Sequence, residues 1–205
     1  MHNSNSNLKS ELDTIISEIS RLLQSKEPLL VALDGRSGTG KSTIAQAIAD
    51  RVESVIVVGD DFFAGGNDDA WYGCSAREKV DRVIDWQRMR AQVLEPLLAN
   101  QPAYWHPLDF EPGVGWIGWK DEIVRLEPAP VILLDGAYSA RPEFADLVDL
   151  AILVEVDDAT RRQRLLAREG QAFMDRWHQL WDVAEDYYFT HLRPRSSFDL
   201  VIKND

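Results

Sequence analysis

Cysteine is nearly absent from this chain: Cys74 is its one thiol, which excludes an intrachain disulfide framework and a cysteine-rich zinc site. His106, His178 and His191 show no ligand spacing with one another or with Cys74, so a transition-metal centre is not expected. No apolar run approaches the about eighteen residues that a membrane-spanning helix needs, and the first residues lack a basic-then-apolar leader. A cytoplasmic setting without a membrane partner is the expectation. Positive charge is also scarce, with 22 Lys and Arg against 34 Asp and Glu and a formal net charge of −12. Such a chain offers no general surface for nucleic acid, and any phosphate site in it must be a local basic pocket. A G-x-S-x-G elbow is missing as well, which leaves a Ser-His-Asp hydrolase without support.

What is present centres on one stretch, Val31-Ala-Leu-Asp-Gly-Arg-Ser-Gly-Thr-Gly-Lys-Ser-Thr43. Gly35, Gly40, Lys41 and Ser42 fill every fixed position of G-x-x-x-x-G-K-[ST], the pattern of a phosphate-binding P-loop. The flanks agree with it. Leu29 to Leu33 is a continuous apolar run suited to a buried parallel strand, and Ile44, Ala47 and Ile48 follow at helical spacing. Gly35, Gly38 and Gly40 let the backbone turn its N–H groups around a polyphosphate, onto which the new helix points its positive end. The nucleotide-binding set is therefore Gly35, Arg36, Ser37, Gly38, Thr39, Gly40, Lys41, Ser42 and Thr43, with Lys41 reaching the β- and γ-phosphates and Ser42 ligating magnesium.

The rest of the 205 residues read as a single α/β domain, with 45% hydrophobic and 27% charged residues. Met1 to Asn7 is polar and is expected to fray. Leu8, Leu12, Ile15, Ile16, Ile19, Leu22 and Leu23 predict a helix within residues 1–27 that packs on the core formed by residues 28–205. Val55 to Val58 is a second buried strand, ending in Gly59-Asp60-Asp61-Phe62-Phe63, and in open parallel sheets such strand ends carry the ligand site. Spacing predicts a long helix from about Arg77 to Leu98, bent or shortened by Pro96. Ala103 to Leu126 reads as a β-excursion around the glycine turn Glu111-Pro-Gly-Val-Gly115. Val131 to Leu134, Leu150 to Val156 and Phe198 to Ile202 complete the strands, and helices are predicted over Asp158 to Glu169 and Phe173 to His191. Alternation of this kind implies a parallel sheet covered on both faces, a three-layer α/β/α fold.

Taken in order, the P-loop, Asp60-Asp61-Phe62-Phe63, Ile84-Asp85-Trp86, Pro107-Leu-Asp-Phe110, Leu134-Asp-Gly136, the arginine-rich helix after Val156 and Phe198-Asp-Leu-Val-Ile202 resemble the uridine kinase-like family of P-loop kinases. The resemblance runs across most of the chain after residue 28. It implies a five-stranded parallel core in the order 2-3-1-4-5, a helical lid over about residues 158–191, and transfer of the γ-phosphoryl group of Mg-ATP to a hydroxyl of a small molecule. A nucleoside is the favoured acceptor, and a sugar or vitamin-like alcohol the alternative. A homo-oligomer is compatible with this reading.

Such chemistry needs a group to take the acceptor proton and cations to offset charge on the phosphoryl group. Asp60 matches the family's aspartate at this point and is the candidate base, with Phe63 where tyrosine is usual; Asp61 is the less favoured base and could act on metal-bound water. Asp135 ends a central strand beside the expected magnesium, where the family often has glutamate. Arg161, Arg164 and Arg168 lie three and four residues apart and share one helix face that could close over the triphosphate, while Arg162 lies off it. Asp85 resembles the residue that holds ribose hydroxyls, and Asp109 falls in the acceptor-side patch. The base-recognition pattern departs from uridine kinases at Leu108 and Gly113, which puts pyrimidine specificity in question. Trp105, Trp116 and Trp119 could form a wall for a ring. The competing reading is a nucleotide-driven switch or motor without a metabolite acceptor. Neither an Asn-Lys-x-Asp segment nor a Leu-Ser-Gly-Gly-Gln signature occurs, which favours the kinase.

Overall fold

The computed structural model describes residues 2–66, 68–111 and 115–204. In chain order the first half holds α1 (His2–Leu23), β1 (Leu29–Asp34), α2 (Lys41–Ala49), β2 (Ser54–Val58), α3 (Asp68–Tyr72), α4 (Ala76–Arg82), α5 (Trp86–Met89) and α6 (Glu95–Leu98). There follow β3 (Ala103–Trp105), β4 (Leu108–Glu111), β5 (Gly115–Trp119), β6 (Val124–Leu126), β7 (Val131–Asp135), β8 (Leu150–Glu155), α7 (Asp158–Glu169), α8 (Gln171–Leu180), α9 (Asp182–Tyr187) and β9 (Leu200–Lys203).

Period-two burial divides the apolar strands between two faces of one sheet. Leu29, Val31 and Leu33 of β1, with Val131 and Leu133 of β7, meet Leu12, Ile15 and Ile19 of α1 and Ile44 and Ile48 of α2. Leu30, Ile132 and Leu134 turn the other way, onto Val80, Met89, Val93, Leu94 and Leu97 and onto Ala184 and Tyr188. Every residue of β1 and β7 is buried, as strands covered on both sides must be. All pairings in the sheet are parallel, and its order is β2-β7-β1-β8-β9, the 2-3-1-4-5 order the resemblance implies. The fold is the expected three-layer α/β/α arrangement.

Four local expectations change. The backbone of α1 reaches back to His2, through the polar stretch expected to fray. The long helix over Arg77 to Leu98 breaks at Val83–Asp85, because Ile84 bridges to Phe63, the Asp85 N–H donates to Phe62 O at 2.7 Å, and the Asp85 side chain caps α5 by accepting from Arg88 N. Pro96 does not end the helix that follows. A π-helical turn over Arg90–Leu94 precedes it, a widening that relieves the clash of the proline ring with the preceding turn. The last predicted helix is likewise divided, into α8, α9 and a π-helical turn at Tyr188–Leu192. Leu180, Ala184 and Tyr188 of this stretch are buried, and the side chains of Phe173 and Trp177 are outside the described residues. The excursion pairs β3 with β6 and β4 with β5. The tip of its glycine turn, residues 112–114 with Gly113, lies outside the described residues. Among the described residues no helix is long and apolar enough to cross a membrane.

At the C-terminal end of β1, Asp34 is fully buried and accepts four hydrogen bonds. Its Oδ1 takes Gly35 N–H at 2.7 Å and Tyr138 N–H at 2.9 Å, and its Oδ2 takes Ala140 N–H at 3.0 Å and the Tyr188 hydroxyl at 2.7 Å. Burial pushes its carboxyl up, while the Tyr188, Ala140 and Gly35 donors and the Lys41 charge pull it back. Replacing it by alanine strands buried donors from three segments. We expect Asp34→Ala to lower the unfolding free energy in urea by about 3–5 kcal/mol; an unchanged midpoint and slope would contradict this role.

Candidate active site

The loop between β1 and α2 carries the motif, and its glycines answer to contacts as well as to backbone angles. Gly38 and Gly40 have φ of 84° and 89°, and a Cβ at Gly40 would stand 2.3 Å from Asn204 Nδ2. Lys41, 9% exposed, turns its ammonium onto the loop itself, donating to Gly35 O at 2.9 Å and Arg36 O at 3.1 Å. Thr39 O accepts from Arg164 Nη1 at 3.3 Å and Asn204 Nδ2 at 2.8 Å, and Arg164 Nη2 reaches Asn204 O at 2.8 Å. α7 is thus seated on the loop through Arg164 and through Leu165, whose side chain would clash with any Cβ at Gly38.

Strand ends β2 and β7 approach closely at the Gly59–Gly136 pair, where a Cβ on either residue would come within 3.2 Å of the opposite backbone. This approach brings the turn bearing Asp60 beside Asp135. Asp135 is 7% exposed; burial raises its pKa, the Ser42 hydroxyl bonded to it and the Lys41 charge lower it, and Asp60 raises it again. Asp60 itself is exposed on the 3-10 turn Gly59–Phe62. Lys41, Ser42, Asp60 and Asp135, four residues selected from the sequence, are therefore neighbours at one rim. Ser42 and Asp135 offer hard oxygen donors, the chemistry that suits magnesium with water completing its shell.

Asp61, expected as the less favoured base or as a residue acting on metal-bound water, has one carboxylate oxygen engaged by the β-excursion. Its Oδ2 accepts Trp105 Nε1–H at 2.9 Å, and the Leu108 N–H adds a second donor, so the carboxylate holds the β-excursion against the sheet. Burial raises its pKa and these two donors oppose the rise. Asp85 caps α5 through Arg88 N at 3.0 Å and keeps its side chain 44% exposed. Arg88, which the sequence reading passed over, lies between the rings of Phe62 and Trp119 at 4.4 and 4.3 Å and donates to Asp61 O at 2.8 Å. Phe63 packs with Trp71 and Trp181, whose ring centroids lie 5.9 and 6.5 Å from its own. Asp109 is half-buried on β4, opposite Gly118. Trp105 is buried, so of the three tryptophans only Trp119 is largely open, at 40% exposure, and Trp116 packs edge-on against it at 6.2 Å.

Of the arginine face, Arg161 and Arg164 lie against the loop while Arg168 is exposed one turn on, and Arg162 is exposed as expected. Arg161, 4% exposed, is surrounded by Asp158, Asp182 and Glu185 at 3.5–3.6 Å. Glu185 and Asn204 were not singled out in the sequence. Each is one polar position in an otherwise ordinary helix or strand end, and only the tertiary contact reveals it.

No protein-family model matches the chain. A uridine kinase of Latilactobacillus sakei subsp. sakei is 26% identical over 194 residues, covering 87% of this chain and 87% of its own. A second, of Clostridium tetani, is 25% identical over 193 residues, covering 87% and 88%. Among solved structures, a possible uridine kinase from Bacillus stearothermophilus superposes with a TM-score of 0.69 at 18% identity, over 95% of this chain and 98% of that one. The chain is thus similar in sequence to uridine kinases and shares the fold of a uridine kinase-like P-loop kinase. The same fold holds D-glycerate 3-kinase from Cryptococcus neoformans, with a TM-score of 0.63 at 12% identity and coverage of 96% and 95%. Likeness at this level supports a kinase and fixes neither the nucleotide nor the acceptor.

For Asp61 the expected outcome is structural. Asp61→Ala leaves Trp105 Nε1 and the Leu108 N–H without their acceptor and should lower stability by about 1–3 kcal/mol in urea unfolding. An unchanged stability would contradict the bond network described here.

Proposed function

We propose that this kinase transfers the γ-phosphoryl group of Mg-ATP to a hydroxyl of a small polyhydroxylated acceptor, a nucleoside in the leading case. The observation that carries the proposal is the meeting of Ser42, Asp135, Lys41 and Asp60 at the mouth of the glycine loop. In this reading the Lys41 ammonium leaves the loop carbonyls for the β- and γ-phosphates, and the loop N–H groups cradle them. Ser42 and Asp135 would hold magnesium, which supplies charge neutralisation at those phosphates. Arg161, Arg164 and Arg168 extend the positive rim from α7. Asp60 accepts the proton of the acceptor hydroxyl as its oxygen bonds to the γ-phosphorus, and the bond from that phosphorus to the bridging oxygen breaks to release ADP.

On the acceptor side, the Asp85 oxygen not used to cap its helix, which lies 3.9 Å from Arg88 Nε, would accept from vicinal hydroxyls. Phe63 and Asp109 are the further residues assigned to the acceptor in this reading. A nucleoside is favoured by these groups and by the names of the relatives, with a sugar or vitamin-like alcohol as the alternative.

The deciding test is a competitive panel of uridine, cytidine, nicotinamide riboside, pantothenate and simple sugars at equal concentration. Phosphorylation of at least one above background ATP hydrolysis is expected. ATP consumption that ignores the whole panel would favour the switch reading and sink this one. Lys41→Ala should abolish turnover in a folded protein. Asp60→Asn should lower kcat by about 10²–10⁴-fold while the ATP dissociation constant, measured by calorimetry, stays within about twofold. Collapse of ATP affinity with normal transfer from bound ATP would instead make Asp60 a nucleotide or metal residue.

A further inference from the structure

α9 delivers to the phosphate loop a carboxylate that the chemistry above does not use. Glu185 is 1% exposed. Burying such a charge costs several kcal/mol unless it is paired and hydrogen-bonded. Its Oε1 accepts the Ser37 N–H at 2.9 Å, and its Oε2 lies 3.5 Å from Arg161 Nη1 and 3.8 Å from Arg36 Nη1. Burial raises its pKa, and the Ser37 donor and the charges of Lys41 and Arg161 oppose the rise.

The surroundings of Glu185 form one construction. Asp182, one turn earlier on α9, lies 3.5 Å from Arg161 Nη2, and Asp158 of α7 lies 3.6 Å from its Nε. Asp186 pairs with Arg36 at 2.5 Å. Tyr188, one turn later, bonds to Asp34 at 2.7 Å. Successive turns of one helical stretch therefore hold the loop at two points, its entry through Asp34 and its middle through Ser37. Packing alone does not ask for a carboxylate at position 185. An apolar side chain would meet the burial equally well, yet it would leave the Ser37 N–H without an acceptor and remove a counter-charge from two guanidinium groups.

We infer that Glu185 is a positioning residue for phosphoryl transfer: its carboxylate fixes the Ser37 N–H and the Arg161 guanidinium in the geometry from which they meet the transferred phosphoryl group. The inference rests on the kinase reading given above. Arg161 is caged by carboxylates on more than one side, so its charge is aimed before nucleotide arrives and no reorganisation is needed during transfer. Trp181, at the start of α9, packs on Trp71 at 5.2 Å and on Phe63, so the helix that aims Arg161 also touches the acceptor side.

The test is a double-mutant cycle read on kcat, with Mg-ATP and uridine or whichever panel compound is turned over fastest. Glu185→Gln keeps an oxygen for the Ser37 N–H and removes the charge. It should lower kcat by about tenfold, leave the acceptor KM within about twofold, and leave the thermal midpoint no lower than that of the unsubstituted chain. Arg161→Gln should cost a similar factor, and the double variant should be no slower than the slower single one, because both changes remove the same arrangement. Should Glu185→Gln fail to fold, Asp182→Asn probes the same cage from a side chain that is 23% exposed. It should lower kcat by about two- to threefold, an effect absent when Arg161 is already Gln. Losses that multiply, or a lowered midpoint with unchanged kcat per folded molecule, would overturn the inference. Tighter nucleotide binding by Glu185→Gln would overturn it too, since the carboxylate would then compete with phosphate. An unsubstituted chain that transfers nothing sinks the kinase reading and this inference with it; one that transfers normally while the variants multiply sinks the inference alone.

Discussion

A buried carboxylate at the end of the central strand decides where everything at the rim can stand. Asp34 bonds at once to the first residue of the glycine loop, to two N–H groups of the loop that follows β7, and to the hydroxyl of Tyr188. The phosphate loop, the loop that continues from Asp135 and the helical stretch bearing Glu185 are thereby referred to one pair of oxygens. A charge this deep is tolerated because each oxygen meets two donors. The sheet supplies the remaining rigidity, since β1 pairs with β7 on one side and β8 on the other over most of its length.

Electrostatically the site is built against the character of the chain. The protein carries an excess of acid, and around the phosphate loop that excess appears as Asp158, Asp182, Glu185 and Asp186 facing Arg36 and Arg161. These acids lie 2.5–3.8 Å from the two arginines and offset their charge locally. Around Phe63 and Asp85 the arrangement is mixed: aromatic rings at Phe63, Trp71 and Trp181, a carboxylate at Asp85, and an arginine at Arg88 laid between Phe62 and Trp119.

The parts of this architecture that follow local rules were legible in the sequence. The glycine loop, the five core strands and α7 come from short-range patterns, and the pairing of Ser42 with Asp135 follows from placing two strand ends on one rim. Asp60 and Asp61 have the same local context in the sequence, and only the approach of Trp105, forty-four positions away, distinguishes their surroundings. The helix break at Ile84 escaped the periodicity because a bridge to Phe63, not a helix-breaking residue, causes it. Asp34 stood in plain view inside the motif stretch, yet nothing local tells that Tyr138, Ala140 and Tyr188 will converge on it. Glu185 carried no signal at all, since an acid on an amphipathic helix is ordinarily a solvated one.

The central claim is that this rim moves a phosphoryl group to a hydroxyl and does not merely release it to water. Phosphorus NMR of the protein with Mg-ATP and the acceptor panel separates the two outcomes in one spectrum. A new phosphomonoester resonance is expected to grow in step with ADP and to be absent in the Lys41→Ala protein. ADP accumulating with inorganic phosphate alone, whatever acceptor is present, would contradict it.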